Sequence, residues 1–398
     1  MHNDWKHSVD QLLEQLSLDA SASATSGEPA TSPAEVGPGD AHPDHVWLTR
    51  AADLVEEAPL LTPYRDGVTR LLDQIQQHAD EASELALRAS LRRVELTLSG
   101  AGSATAMAQA ERVSKRAASC ADTALSQRAT LAVARAALVQ NQPLRVETLL
   151  RSVAKPATPA IAAWSAVVRS MVVLMQMKVD EAKRLLQDAL STVESVDSRV
   201  DDLRYFVLLN LGILGGMKGD PVAPLDAALN LMRSHGAVAE RIALHGLLGP
   251  HFRTRRDFAA AKNHLQQAVD LARQTGMMKE AIGFRLVLAR VRLDEGDRPM
   301  ARVETMGLLD EIEAAGDMSA FFQATELMMD IFIAGEEYAA AYRICQTACQ
   351  AVVRAIPLAV ELLRRKLKLI EERMGAGAYK EMVDQVDTAL RATAHLRH

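Results

Sequence analysis

Aromatic side chains are scarce in this sequence: Phe, Trp and Tyr make up 4% of 398 residues. Strands draw on aromatic and β-branched residues. No stretch alternates apolar and polar residues between tight Asn-Gly or Asp-Gly turns, which leaves little room for a β-sheet. Cysteine is nearly absent, and Cys120, Cys345 and Cys349 are too few, and odd in number, for a disulfide framework. Cys345 and Cys349 stand one helical turn apart and could form a redox or metal pair, but two small buried helix residues explain them more simply. There is no basic excess either. The formal charge is −6, which argues against nucleic acid as a partner. Long apolar runs are missing: Trp164 to Met177 is interrupted by Arg169 and is too short to insert in a membrane. Met1-His-Asn-Asp-Trp-Lys lacks the basic and apolar regions of a secretory signal, so a cytoplasmic protein is expected.

What is abundant is Ala, Leu, Met, Arg and Glu, the residues that lose least on entering a helix. The turn signals among them are periodic. Gly236, Gly276 and Gly316 sit 40 residues apart, and a second ladder, Gly219-Asp220, Arg256-Asp257, Gly296-Asp297 and Gly335-Glu336, runs in step. Two turns per period leave room for two helices of about 15 residues each, so the spacing predicts a helix–turn–helix repeat array. Extending the second ladder with Pro63, Ala101, Asn141, Met177 and Gly375 predicts eight or nine helix pairs between residues 46 and 398. The first pair is interrupted by Pro59 and Pro63, and the polar helix over 377–398 suits a capping repeat.

Ahead of the array, residues 1–18 carry an amphipathic helix. Trp5, Val9, Leu12, Leu13 and Leu16 fall at i, i+4, i+7, i+8 and i+11, one stripe of its surface. Residues 19–45 are rich in Ala, Ser, Thr, Gly and Pro, and are expected to be a flexible linker. The stripe would then dock in the protein's own groove, on a partner, or as a cap over the first repeat.

The repeats resemble the tetratricopeptide repeat (TPR) family. The match is clearest in Leu248-Gly249, Phe252, Arg256-Asp257-Phe258, Ala261, Leu265 and Ala268, and continues in Asn210-Leu211-Gly212, in Ala182, Leu186 and Ala189, and in Gly335-Glu336 with Tyr338. Steps of 36–42 residues exceed the family's usual length and are similar to repeats of bacterial signalling and regulatory proteins. The resemblance implies an all-α, right-handed α-solenoid that binds protein segments in a concave groove lined by the first helix of each pair.

Catalytic signatures are missing: there is no His-Glu-x-x-His, no Gly-x-x-x-x-Gly-Lys-Ser/Thr, no Gly-x-Ser-x-Gly and no Cys-x-x-Cys. No catalytic residue, metal ligand or cofactor is therefore expected. The glycines of Gly212-Ile-Leu-Gly215-Gly216 follow no strand and read as packing and turn residues. His245, His251 and His264 could approach one another, but separate core, groove and surface roles explain them more simply than a metal site. The basic clusters Arg253, Arg255, Arg256 and Arg364, Arg365, Lys366, Lys368 lack interleaved aromatics and read as solvated surface.

Carrying the family's groove positions onto this chain selects Arg128 and Arg135, then Trp164, Met171 and Met175, then Phe206, Leu209, Ile213 and Met217. Arg253 and Arg290 follow, and then Phe322, Met329 and Phe332. Met-rich walls with isolated arginines suit an amphipathic or acidic segment. The competing reading is a register error, which would make these residues inter-repeat core. Function is expected to be that of a non-catalytic adaptor. The alternative is a regulatory sensor in which a small peptide or ligand changes exposure of the N-terminal helix, and self-association through the array's ends is a further option.

Overall fold

A computed structural model describes residues 11–12, 43–57, 65–81, 83–98, 103–195, 201–217, 219–234, 237–352 and 357–394. Trp5, Val9, Leu13 and Leu16 of the amphipathic stripe, most of the expected linker and the turn at Gly236 lie outside the described residues.

Eighteen α-helices run through residues 43–394 as nine successive pairs. The first five pairs are α1 (Pro43–Glu57) with α2 (Arg65–His78), α3 (Glu84–Leu98) with α4 (Ser103–Ala117), α5 (Thr123–Val139) with α6 (Pro143–Ser152), α7 (Pro159–Met175) with α8 (Val179–Glu194), and α9 (Asp201–Met217) with α10 (Val222–Ser234). The remaining four are α11 (Val238–Thr254) with α12 (Phe258–Gln274), α13 (Met278–Glu295) with α14 (Arg298–Ala315), α15 (Met318–Ala334) with α16 (Tyr338–Val352), and α17 (Pro357–Met374) with α18 (Ala376–Ala394). Odd-numbered helices are thus first helices. The chain divides into two compact units, residues 1–240 and 241–398.

The ladder of turn residues is a ladder of left-handed backbone. Positive φ occurs at Asn141, Met177, Gly219, Arg256, Gly296, Glu336 and Gly375 inside pairs, and at Gly276 and Gly316 between pairs. A left-handed residue lets the chain reverse while satisfying the helix's last carbonyls. The Asp297 amide accordingly donates to the Arg292 carbonyl at 2.9 Å, and the Asp257 amide to the Phe252 carbonyl at 3.0 Å. The acidic residue that follows caps the next helix: Asp257 accepts from the Ala260 amide and Asp297 from the Met300 amide. One dipeptide therefore ends one helix and starts another, which is why the repeats need no longer loops.

Within unit 1 each helix packs on the next, and first helices stack on first helices: α1 on α3, α3 on α5, α5 on α7 and α7 on α9. In unit 2, α13 stacks on α15 and α15 on α17. Glycine permits the close approaches inside pairs. A Cβ on Gly212 of α9 would come 2.4 Å from Leu225 of α10, and one on Gly249 of α11 would come 2.5 Å from Leu265 of α12. Gly212 and Gly215 of the Gly-rich stretch are thus packing residues, and Gly216 is not.

Candidate functional site

In unit 1 the left-handed residues Asn141, Met177 and Gly219 close α5, α7 and α9, so counting back from them gives equivalent positions on three neighbouring first helices. Thirteen residues back stand Arg128, Trp164 and Phe206; six back, Arg135, Met171 and Ile213; two back, Val139, Met175 and Met217. The last row is open to solvent, with Val139 58%, Met175 44% and Met217 53% exposed, and Ile213 is 40% exposed. Met171 and Leu209 are half-buried beside them. A band of apolar side chains therefore crosses α7 and α9, extending about 16 Å along each helix at 1.5 Å per residue. Val139 was not among the sequence-selected residues, although its place two residues before Asn141 matches Met175 and Met217.

At the aromatic end of this band the Trp164 and Phe206 rings lie 5.3 Å apart at 52°. The Arg135 guanidinium sits over Trp164, 4.3 Å from the ring centre, and 5.7 Å from that of Phe206. Such stacking suits a weakly hydrated planar cation. Arg135 makes no hydrogen bond or ion pair with the described residues. Burial lowers its pKa to about 10, against attraction from Glu95 and Asp202.

Arg128 has a different fate. Its guanidinium grips Glu95 of α3 at 3.0 Å and Glu56 of α1 at 3.1 Å. Arg92 adds a second cation to Glu95 at 3.2 Å and donates to the Val55 carbonyl at 3.1 Å, while Arg88 reaches Asp53 at 3.3 Å. Burial pushes the Glu95 carboxyl up, but Arg128 and Arg92 outweigh it and hold the pKa at about 2. The attraction of Glu95 in turn raises the pKa of Arg128. This network ties three first helices together, and its carboxylates were not singled out from the sequence.

The predicted groove residues of unit 2 need correction. The left-handed residue between α15 and α16 is Glu336; Gly335 has φ −100°. Counting from Gly335 shifts α15 by one residue, a rotation of about 100° that turns core positions toward the expected groove. Met329 is accordingly fully buried against Cys345 and Leu363, Phe332 is 7% exposed, and Phe322 is half-buried against the same packing. The residue six before Glu336 is Asp330. It pairs with Arg290, itself six before Gly296, and with Lys366 of α17, which also reaches Glu326 at 3.3 Å. Arg253 pairs with Asp294 at 3.5 Å. The arginines selected in unit 2 therefore join helix to helix.

His245 is fully buried and its Nδ1 lies 2.9 Å from Nδ1 of His264, whose ring stacks on Phe252 at 5.3 Å. Among the described residues no group of three metal-ligating side chains converges. Cys345 and Cys349 stand 3.9 Å apart, and burial, with Cys349 nearby, pushes the Cys345 thiol up to about 12, so it stays protonated. A cleft of about 360 Å³ lies elsewhere in unit 1, lined by Gln76, Arg93, Gln109 and Arg112 among others.

This arrangement defines an all-α protein of TPR-like fold, with apolar side chains exposed on first helices of unit 1. No family model matches the sequence, and no curated protein matches it. Among solved structures the chain is similar to the apo form of RapI, with a TM-score of 0.65 and 8% identity over 77% of this chain and 87% of that one. It is also similar to a signal transduction ATPase with numerous domains (STAND) from Pyrococcus horikoshii that carries a tetratricopeptide repeat sensor. Here the TM-score is 0.58 with 10% identity, over 90% of this chain and 67% of that one. A Rap protein complexed with Competence and Sporulation Factor matches with a TM-score of 0.51 and 12% identity, over 78% and 93% of the two chains. At such identities the likeness is one of fold. Among the described residues no helix is long and apolar enough to cross a membrane.

Proposed function

We propose that this protein is a non-catalytic adaptor that holds a protein segment on the first-helix face of α5, α7 and α9. One observation carries the reading: Met175, Ile213 and Met217 form an exposed apolar row where neighbouring first helices already satisfy one another's packing. Methionine-rich surfaces adapt to varied apolar side chains, and an amphipathic helix or extended strand laid across the row would cover it. The test is capture of binding proteins by the intact chain beside a Met175→Glu, Ile213→Glu, Met217→Glu variant of unchanged helicity and melting. A protein held by the first and lost by the second is the expected result. Proteins retained equally by both would move binding away from this face.

A second reading, a ligand-responsive sensor, has its own observation. Leu12 is buried in the apolar cluster of Leu48, Val55, Leu71 and Ile75, against which Trp164 also packs. The amphipathic stripe thus has a foothold on the unit that carries the proposed face. Two proteins of similar fold, a Rap protein solved in complex with Competence and Sporulation Factor and a signal transduction ATPase with a tetratricopeptide repeat sensor, support this reading. In this reading ligand binding changes hydrogen exchange at Gln11 and Leu12; unaltered exchange on saturation with a captured segment would leave the adaptor alone.

A further inference from the structure

Of the four arginines selected from the sequence, three are engaged by carboxylates of their own unit and one is not. Arg135 has its guanidinium carbon over Trp164, 4.3 Å from the ring centre, and 5.7 Å from that of Phe206, and its N–H groups meet no acceptor among the described residues. None of its nitrogens is sealed from solvent either, in contrast to Nε of Arg93 and of Arg241. The fork is therefore fixed in orientation by the rings, partly stripped of water, and open along the edge that makes hydrogen bonds. Aromatic stacking of this kind removes the rotamer freedom that a long side chain otherwise loses on binding.

We propose that Arg135 is a receptor for a single carboxylate on the bound segment, with the apolar neighbours of that carboxylate lying on Met171, Met175, Ile213 and Met217. This deepens the adaptor reading and rests on it. The geometry supports a carboxylate, because two parallel N–H donors match its two oxygens. The register completes the specificity. Arg135, Met171 and Ile213 occupy the same position of three successive repeats, so a segment crossing the first helices meets one cation and then two apolar side chains in order. The carboxylate can come from an aspartate or glutamate side chain or from the segment's C-terminus.

The test is selection of random peptides on the intact full-length chain and on Arg135→Gln. One library has free C-termini and the other has both ends blocked. The expected outcome is enrichment on the intact chain of peptides with a carboxylate beside apolar residues, and loss of that acid preference on Arg135→Gln. Enrichment confined to the free-ended library assigns the carboxylate to the C-terminus; enrichment from both assigns it to a side chain. For a selected peptide, replacing Glu by Gln, or the free end by an amide, should weaken binding to the unaltered chain at least about tenfold, as for a lost charged hydrogen bond. This arm needs no protein variant and decides the matter if Arg135→Gln does not fold. Acid-free sequences enriched equally on both proteins overturn the role of Arg135 and leave the adaptor reading standing. No enrichment from either library overturns both.

Discussion

Two stacks of first helices, α5–α7–α9 in unit 1 and α13–α15 in unit 2, present the same repeat position in opposite ways. Six residues before the left-handed turn, unit 1 has Arg135, Met171 and Ile213, and unit 2 has Arg290 and Asp330. In unit 2 the cation and the anion face each other across neighbouring helices and pair, with Lys366 joining them. In unit 1 the cation's neighbours are a tryptophan and apolar side chains, so it stacks and keeps its donors. An arginine on a first helix is thus neither a structural nor a binding residue by position alone. The residue one repeat along decides.

Substitution of three arginines separates these roles. Arg128→Ala leaves Glu95 and Glu56 without their main cation, and should cost unit 1 about 3 kcal/mol. Arg290→Ala leaves Asp330 still held by Lys366, at about 1 kcal/mol. Arg135→Gln removes a stacked cation but no ion pair, and should change stability by less than about 1 kcal/mol. Hydrogen exchange along α5 and α13 is the suitable measurement, since repeat arrays need not unfold in one step. Equal losses for Arg128 and Arg290 would erase the contrast between the units.

Acid should act on unit 1 through Glu95. Its carboxyl is held at about 2 from an ordinary 4.5, so its contribution is complete above about pH 4.5 and disappears as pH falls toward 2. That contribution is on the order of 3 kcal/mol. The stability gap between the protein and Glu95→Gln should therefore close across this window; a gap constant with pH would mean that Glu95 is not the group titrating.

The units should respond alike where they share a packing device. Gly212→Ala in unit 1 and Gly249→Ala in unit 2 each drive a methyl into a leucine of the paired helix, and should cost about 1–3 kcal/mol in denaturant melts. Gly216→Ala, which meets nothing within 4 Å, should be neutral or slightly stabilising. Gains in stability belong to the turns. Met177 and Arg256 carry side chains at φ 61°. Met177→Gly and Arg256→Gly should each raise stability by roughly 0.5–1 kcal/mol, read as a higher melting midpoint.

The helix pairs were legible in the residues themselves because two local requirements recur along the chain. A left-handed residue must close one helix and an acidic or hydroxyl side chain must cap the next, so Gly296-Asp297 marks a turn wherever the rest of the chain goes. The close-packing glycines and alanines were legible for the same reason, since spacing on one helix shows which side meets its partner. The rotation of the first helices was only partly legible. Counting from Asn141, Met177 and Gly219 starts at residues that are left-handed, whereas counting from Gly335 shifts α15 by one, because there Glu336 takes that conformation. Aligning the acids that start the second helices, Asp257, Asp297 and Glu337, would have recovered the register. α15 itself carries a polar stripe, Ser319, Gln323, Glu326 and Asp330 at i, i+4, i+7 and i+11, which marks the same register.

What sequence determined here is local: where helices start, where they stop and which small residues let them meet. What tertiary structure decided is the state of each charge. Glu95 and Arg128 are 33 residues apart in sequence, as Asp330 and Arg290 are 40 apart. Whether such groups meet depends on the rotation of two stacked helices. A one-residue change of register turns a side chain by about 100°, which is enough to exchange an ion pair, a ring or open solvent as its neighbour.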